Sequence, residues 1–242
     1  MTATPAGMTY ADYLHLPQLL SAQQPLSSLH DELLFIVIHQ TKELWLKQML
    51  HEVSLAISLI AENRFAEAYK ALARVSRIQS VMTLSWDVLA TLTPVDYSRF
   101  RDVLGTSSGF QSAQFRELEY RFGIKDPRFL DYHRGEDRTR LESALAAPSL
   151  WDVCDQARRR AGADSWLAVY QDADRWFDLY EMAEKLVDID DALAGWRHKH
   201  VLTVERIIGG KTGTGGSAGV AYLQSTLSKR AFPELWKLRT EL

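Results

Sequence analysis

The chain has 242 residues, of which 46% are hydrophobic, and a net charge of -3 at pH 7 with acidic and basic residues interspersed. This length predicts one domain with a substantial core, and the mixed charge argues against a nucleic-acid partner. No run approaches the ~18 continuous apolar residues of a membrane span. The first residues lack the charged and apolar regions of a signal peptide, so we expect a cytoplasmic protein that does not bind membranes.

In the first half of the chain, the spacing of apolar residues is that of helices. After the turn residues 24–28, apolar side chains recur every three or four residues from about 31 to 62, which predicts one long helix. The next helix is predicted to end at Thr93, because a residue that precedes proline is pushed out of the helical region. The elements predicted there are a helix over 64–92, a short helix over 95–104, a loop over 105–109 and a helix over 110–122.

The second half continues this pattern around one charged segment, 125–140, which we predict to be a surface connection. The predicted helices are 140–147, 150–160, 165–187, a helix that carries His200, a piece that reaches 227, and a terminal turn that starts at 232–234. No run alternates β-branched with polar residues, and there is no repeat or linker. The sequence therefore predicts a single all-α domain over 1–242, built as a helical bundle.

His200 is predicted to point into the protein. One face of its helix carries Leu193, Trp196, His200, Val204 and Ile207. His198 is turned about 200° away from His200 and should meet solvent. An inward histidine is either a hydrogen-bonded core residue or a ligand of a metal or haem, and this pattern leaves both open.

A glycine-rich loop, 209–219, follows this helix and contains Thr212, Thr214 and Ser217. Such a loop can present N–H groups and hydroxyls to a bound polar group. A nucleotide-binding loop is disfavoured, because Glu205 stands where its first glycine is needed and the preceding element is helical.

His39 is the second histidine predicted to face inward, and Phe35 lies one turn before it on the same face. Taken alone, His39 is interpreted as a structural residue. Together with His200, it suggests a haem or metal pocket. His39 and Glu43 have metal-ligand spacing, so a non-haem metalloprotein stays as an alternative. The only cysteine, Cys154, is interpreted as a buried thiol, and it excludes covalent haem attachment through a Cys-x-x-Cys-His motif.

Several motifs together resemble the tryptophan 2,3-dioxygenase family, and they span nearly the whole chain in order. They are Tyr10-x-x-Tyr13-Leu14, Ser21-Ala-Gln-Gln-Pro25, Asp31-Glu-Leu-Leu-Phe-Ile-Val-Ile-His39-Gln-Thr-Lys-Glu-Leu-Trp45, Phe100-Arg-Asp-Val-Leu-Gly105, Ser107-Ser-Gly-Phe-Gln-Ser112, Lys211-x-Gly-Thr-Gly-Gly-Ser-x-Gly219 and Phe232-Pro-Glu-Leu-Trp236. The resemblance implies oxidation of L-tryptophan by O₂ to N-formylkynurenine, a reaction of tryptophan catabolism in the kynurenine pathway. It also implies a homotetramer.

The resemblance further implies one non-covalent b-type haem per subunit. His200 matches the ligand of its iron, and Trp86, Ser108 and Gly109 match residues beside the haem. The iron and O₂ supply the chemistry, while the protein orients the substrate and excludes water.

Residues around the substrate are implied in the same way. His39 matches the histidine that faces the indole N–H, and Phe35 matches a residue that packs on the indole ring. Arg101 matches the residue that grips the substrate carboxylate, with Tyr97 and Leu104 lining the pocket. From spacing alone, Arg101 would be read as a surface arginine.

Two further implications concern the amino-acid end of the substrate and the assembly. Thr214 matches a residue that contacts the ammonium and carboxylate groups. Tyr10, Tyr13 and Leu14, within the N-terminal arm 1–30, match residues that complete a neighbouring subunit's site.

The chain departs from the family pattern between Pro148 and Trp166, where it is shorter than expected. An altered segment there leaves a second activity open, namely insertion of one oxygen at indole C2 of tryptophan or a substituted tryptophan to give a 2-oxindole. A haem-binding sensor or carrier without turnover is a third alternative.

Overall fold

A computed structural model describes residues 7–242, and these residues contain helices and turns but no strand. The helices are α1 (Tyr10–Leu14), α2 (Leu16–Ser21), α3 (His30–Ala61), α4 (Phe65–Leu89), α5 (Pro94–Phe100), α6 (Ala113–Phe122), α7 (Gly135–Ala146), α8 (Leu150–Ala161), α9 (Trp166–Gln171), α10 (Phe177–Ile208), α11 (Val220–Ser225) and α12 (Pro233–Lys237). Turns of 3-10 helix lie at Arg101–Leu104, Gly109–Gln111, Pro127–Tyr132 and Leu238–Thr240. The all-α prediction is confirmed. No helix within 7–242 is long and apolar enough to cross a membrane.

Three long helices, α3, α4 and α10, form the frame of the fold. The link between α3 and α4 is only three residues long, and it turns through Asn63, whose φ is +60°. The main core lies between these helices and α8, and its centre includes Val53, Ile60, Leu72 and Leu186, all fully buried. Each such side chain stabilises the fold by about 1.5–3 kcal/mol relative to an exposed one.

The two largest errors in the predicted helix boundaries have local causes. The charged segment 125–140 is not a plain connection, because α7 already begins at Gly135 and places Glu136 and Asp137 in its first turn. Acidic side chains are favourable there, since the N-terminal end of a helix carries partial positive charge.

The second error concerns the predicted helix over 165–187. That stretch is interrupted by a turn after α9, and the helix that carries His200 starts at Phe177 and runs unbroken through Val187. Periodicity is read within a window, so it does not reveal this turn.

A buried aspartate fastens the C-terminal segment to α10. The carboxylate of Asp190, which is 0% exposed, accepts hydrogen bonds from the backbone N–H groups of Ala231 (3.0 Å) and Phe232 (3.2 Å) and from Trp236 Nε1 (2.9 Å). These three hydrogen bonds replace the ones that the carboxylate would make to water if it were exposed. The Phe232–Trp236 motif is therefore held by a residue some forty positions earlier in the chain.

We expect Asp190→Ala to destabilise the protein by about 3 kcal/mol or more, because it leaves three buried donors without an acceptor at about 1–3 kcal/mol each. For a domain of this size the melting temperature should fall by roughly 6–12 °C. Asp191→Ala, at the exposed neighbouring position, is the control and should change it by less than about 2 °C. Equal melting temperatures for the two variants in a thermal scan would contradict this role.

Candidate functional site

His200 lies on the inward face of α10 and stacks against an indole from α4. The ring centroids of His200 and Trp86 are 4.3 Å apart and their planes differ by 10°. Trp196, one turn earlier on α10, lies 5.3 Å from His200 and 5.4 Å from Trp86. His198 is exposed. The structure confirms the predicted inward face of this helix.

The imidazole of His200 is neutral at pH 7. Its pKa is lowered to about 3, mainly by burial and also by the electrostatic effects of Lys42 and His39. A neutral imidazole keeps a nitrogen lone pair, which is the form that binds a metal. His200 is therefore suited to be an iron ligand.

His39 faces the same region from α3 and is oriented by its own helix. Its Nδ1 lies 2.7 Å from the carbonyl oxygen of Phe35, so Nδ1–H is the donor and Nε2 keeps the lone pair. Burial lowers the pKa of His39 to about 4, although the hydrogen bond to Phe35 acts in the opposite direction. The side chain can accept a hydrogen bond through Nε2.

Aromatic rings line the space beside His39. The Phe35 ring lies 4.2 Å from His39, 6.0 Å from Tyr97 and 5.8 Å from Phe100. Leu104 and Trp86 belong to the same group of packed side chains, which we call the pocket cluster: Phe35, Ile38, Trp86, Leu89, Leu92, Tyr97, Phe100, Leu104, Trp196 and Ile207. Burial also raises the pKa of Tyr97, which keeps its hydroxyl protonated.

The two loops singled out in the sequence meet beside this cluster. The guanidinium of Arg101 donates to the carbonyl oxygen of Thr212, and the hydroxyl of Thr214 donates to the carbonyl oxygen of Ser107 at 2.5 Å. Gly215 packs so closely on Ser108 that a Cβ at Gly215 would lie 2.7 Å from the Cβ of Ser108. Arg101 and Thr214 therefore lie on two loops that contact each other through these two hydrogen bonds.

The pocket contains polar atoms that the described residues leave without a hydrogen-bond partner. They are Lys42 Nζ, Trp86 Nε1 and Trp196 Nε1, all buried. A planar apolar ligand that carries polar groups and a metal, as haem does, would provide partners for these atoms and for the neutral histidine. In contrast, no group of three or more His, Cys, Asp or Glu side chains suited to a metal occurs within 7–242. Glu43 is hydrogen-bonded to Gln114 Nε2 instead (2.8 Å).

Three of the predicted site residues do not join this pocket in the single chain. Tyr10 and Tyr13 are 75% and 72% exposed, and Leu14 is also exposed. The arm that carries them is tied to α3 through Gln40, whose amide donates to the carbonyl oxygen of Ala22. Gly109, which matches a residue beside the haem, is also exposed. The sequence pattern did not identify one buried residue, Lys42, although its place between Ile38 and Leu46 on the buried face of α3 was a usable signal.

Comparison with known proteins identifies the family of this chain. The profile of the tryptophan 2,3-dioxygenase family matches residues 1–156 and 153–242. The chain belongs to the tryptophan 2,3-dioxygenase family. It is 62% identical to the tryptophan 2,3-dioxygenase of Caulobacter vibrioides, with 97% of this chain and 98% of that protein covered. The proteins of the same name from Bacillus thuringiensis subsp. konkukian (49% identity, 98% and 93% covered) and Bordetella parapertussis (47% identity, 97% and 91% covered) are also similar.

The family pattern is interrupted within α8. The two matched stretches of the tryptophan 2,3-dioxygenase profile join at 153–156. The alignment with the Caulobacter protein also runs over 259 positions, more than the 242 residues of this chain, so it contains gaps. In the structure, α8 is followed after a short link by α9, through Gly162 with φ +85°. These facts support the expectation of a shortened segment between Pro148 and Trp166.

Proposed function

We propose that this chain is a haem-dependent enzyme that oxidises L-tryptophan with O₂ and cleaves the indole 2,3 bond to give N-formylkynurenine. The observation that carries the proposal is the proximity of two buried, neutral histidines, His39 and His200. The contact between the loop of Arg101 and the loop of Thr214 supports it. Membership of the tryptophan 2,3-dioxygenase family supports it.

His200 would bind the iron of one non-covalent b-type haem per subunit. The ring of Trp86 would hold the imidazole plane by stacking, and Ser108 and Gly109 would border the haem. The buried Cys154 lies in the main core, away from the pocket cluster, which agrees with non-covalent binding. When bound there, the haem would supply the chemistry of O₂ activation.

The side chains around His39 would select a zwitterionic amino acid with an indole ring. Arg101 would grip the carboxylate with its fork of donors, and the hydroxyl of Thr214 would contact the ammonium and carboxylate groups. Phe35, Tyr97 and Leu104 would enclose the indole and exclude water. The packing of Phe35, Tyr97 and Leu104 in one cluster supports the apolar part of this assignment.

His39 would accept a hydrogen bond from the indole N–H. Its Nε2 keeps the lone pair, and burial lowers its pKa to about 4. A group with such a low pKa is a weak base, whereas the indole N–H is a very weak acid. His39 therefore positions the indole and does not remove its proton.

The hydroxyl of Thr214 should affect substrate use specifically. We expect Thr214→Val to lower kcat/KM for L-tryptophan about ten-fold, because one hydrogen bond to a charged group is lost. Thr214→Ser retains the hydroxyl and should stay within about two-fold of wild type. Steady-state kinetics measures both; a loss of the same size in the serine variant would contradict the role of the hydroxyl.

Single-oxygen insertion to a 2-oxindole is the second candidate, and it is motivated by the interrupted family pattern at 153–156. The altered segment lies in the main core, where Val153 and Trp166 are buried, whereas the site is formed by the pocket cluster. This separation favours an unchanged pocket and hence cleavage of the indole ring.

We also propose a cytoplasmic homotetramer in which the N-terminal arm contacts a neighbouring subunit; of this arm, 1–30, the structure describes residues 7–30. Exposed apolar side chains support an assembly: Val81, Leu84 and Val88 share one face of α4, and Tyr10 and Tyr13 project from the arm. Analytical ultracentrifugation tests the stoichiometry, and a monomer at micromolar concentration would overturn it.

Oxygen labelling separates the candidate reactions. The reduced, haem-loaded protein is incubated with L-tryptophan under ¹⁸O₂, and the product is weighed by mass spectrometry. Two labelled oxygens support dioxygenation, and one supports the oxindole. A Soret band that shifts with tryptophan, without product, would instead indicate a sensor or carrier. Absence of a Soret band would overturn the haem site itself.

A further inference from the structure

Lys42 is a buried amine for which the described residues provide no anion. Lys42 is 6% exposed, and its Nζ lies 2.9 Å from the centroid of the Trp86 ring. This Nζ has no hydrogen-bond partner among the described residues. The carboxylate of the adjacent residue, Glu43, accepts a hydrogen bond from Gln114 Nε2. Burial lowers the pKa of Lys42 to about 6, which reflects the cost of a charge without a counter-ion. A ligand that brings an anion would remove this cost.

The position of Lys42 relates it to the haem site. It follows His39 by about one turn on α3, and its charge acts on both His39 and His200. It also rests on Trp86, the indole that stacks on His200. The amine therefore belongs to the pocket that the two histidines share.

The amino-acid carboxylate is an unsuitable partner for Lys42. Phe35 and Tyr97 connect the pocket to Arg101, whereas Lys42 lies seven residues, or about 10 Å along the helix, beyond Phe35. Arg101 and Thr214 already provide donors at the substrate end. The remaining anion of the ligands is a propionate carboxylate of the haem, of which haem has two.

We propose that the ammonium of Lys42 pairs with a propionate carboxylate of the bound haem and thereby retains the cofactor. The inference rests on the proposed haem site. It assigns to Lys42 a role in cofactor retention that is separate from the iron bond of His200. A charge-assisted hydrogen bond of this kind shields the carboxylate from water and strengthens in a pocket of low polarity.

The test uses the haem-loaded full chain and the variant Lys42→Met, which keeps an unbranched side chain one atom shorter and removes its charge. We expect haem release to an excess of a haem-scavenging globin to accelerate about ten-fold or more. The propionate bending band in the resonance Raman spectrum should shift, because the carboxylate loses its donor. Lys47→Met, at an exposed position of the same helix, should leave the release rate and the band unchanged.

Each outcome decides between pairing and a merely structural role. A band unchanged in Lys42→Met overturns the pairing, even if haem is released faster. A shifted band with an unchanged release rate overturns the retention. If Lys42→Met does not hold haem at all, Lys42→Arg, which retains the cation, must hold it with slow release, and faster release there overturns the proposal. A wild-type chain without a Soret band would show instead that the haem site is wrong.

Discussion

Replacing His200 by alanine should yield a protein without a Soret band. The substitution removes the neutral imidazole that would bind the iron and the ring that stacks on Trp86. Loss of an outer-shell partner typically weakens a metal site about 10–100-fold, so loss of the ligand itself should exceed this. The absorption spectrum of the purified variant and the haem content per chain measure the effect.

Two neighbouring histidines provide the controls for this variant. His198→Ala changes an exposed side chain on the same helix and should retain the full Soret band. His39→Ala should also retain haem, since His39 is proposed to contact the substrate and not to bind the iron. If His200→Ala keeps its Soret band while either control loses it, the assignment of the ligand is wrong.

Arg101→Gln should lower kcat/KM for L-tryptophan about 100-fold or more. A bidentate pair with a carboxylate contributes about 3 kcal/mol, which corresponds to a factor of that size. The same substitution also removes the hydrogen bond from Arg101 to the Thr212 carbonyl oxygen, which connects the two loops. Steady-state kinetics with the haem-loaded enzyme measures the change.

The substrate itself offers a control for Arg101. Tryptamine lacks the carboxylate, so its low kcat/KM should be similar in the wild type and in Arg101→Gln. Arg99→Gln, which changes an exposed arginine on α5, should leave the kinetics with L-tryptophan within about two-fold of wild type. An equal loss with tryptamine and tryptophan would show that Arg101 acts through loop structure and not through the carboxylate.

Much of the fold could be predicted from local patterns. The long helices α3 and α4, the inward face of α10 and the shared face of Phe35 and His39 depend on spacing within one helix, and the structure agrees with them. The start of α7 and the turn after α9 could not be read in this way. They depend on end effects and packing that a periodic pattern does not contain.

The candidate site, like the fold, could be predicted only in part. By itself the sequence determined that His200 and His39 face inward, that glycine-rich loops follow α5 and α10, and, through its motifs, which family the chain resembles. Only the tertiary structure decided that Trp86 stacks on His200 and that Thr214 meets Ser107, contacts between residues more than a hundred positions apart. Spacing fixes which side of a helix a residue occupies, whereas the partner on that side is chosen when apolar faces pack and buried polar groups find each other.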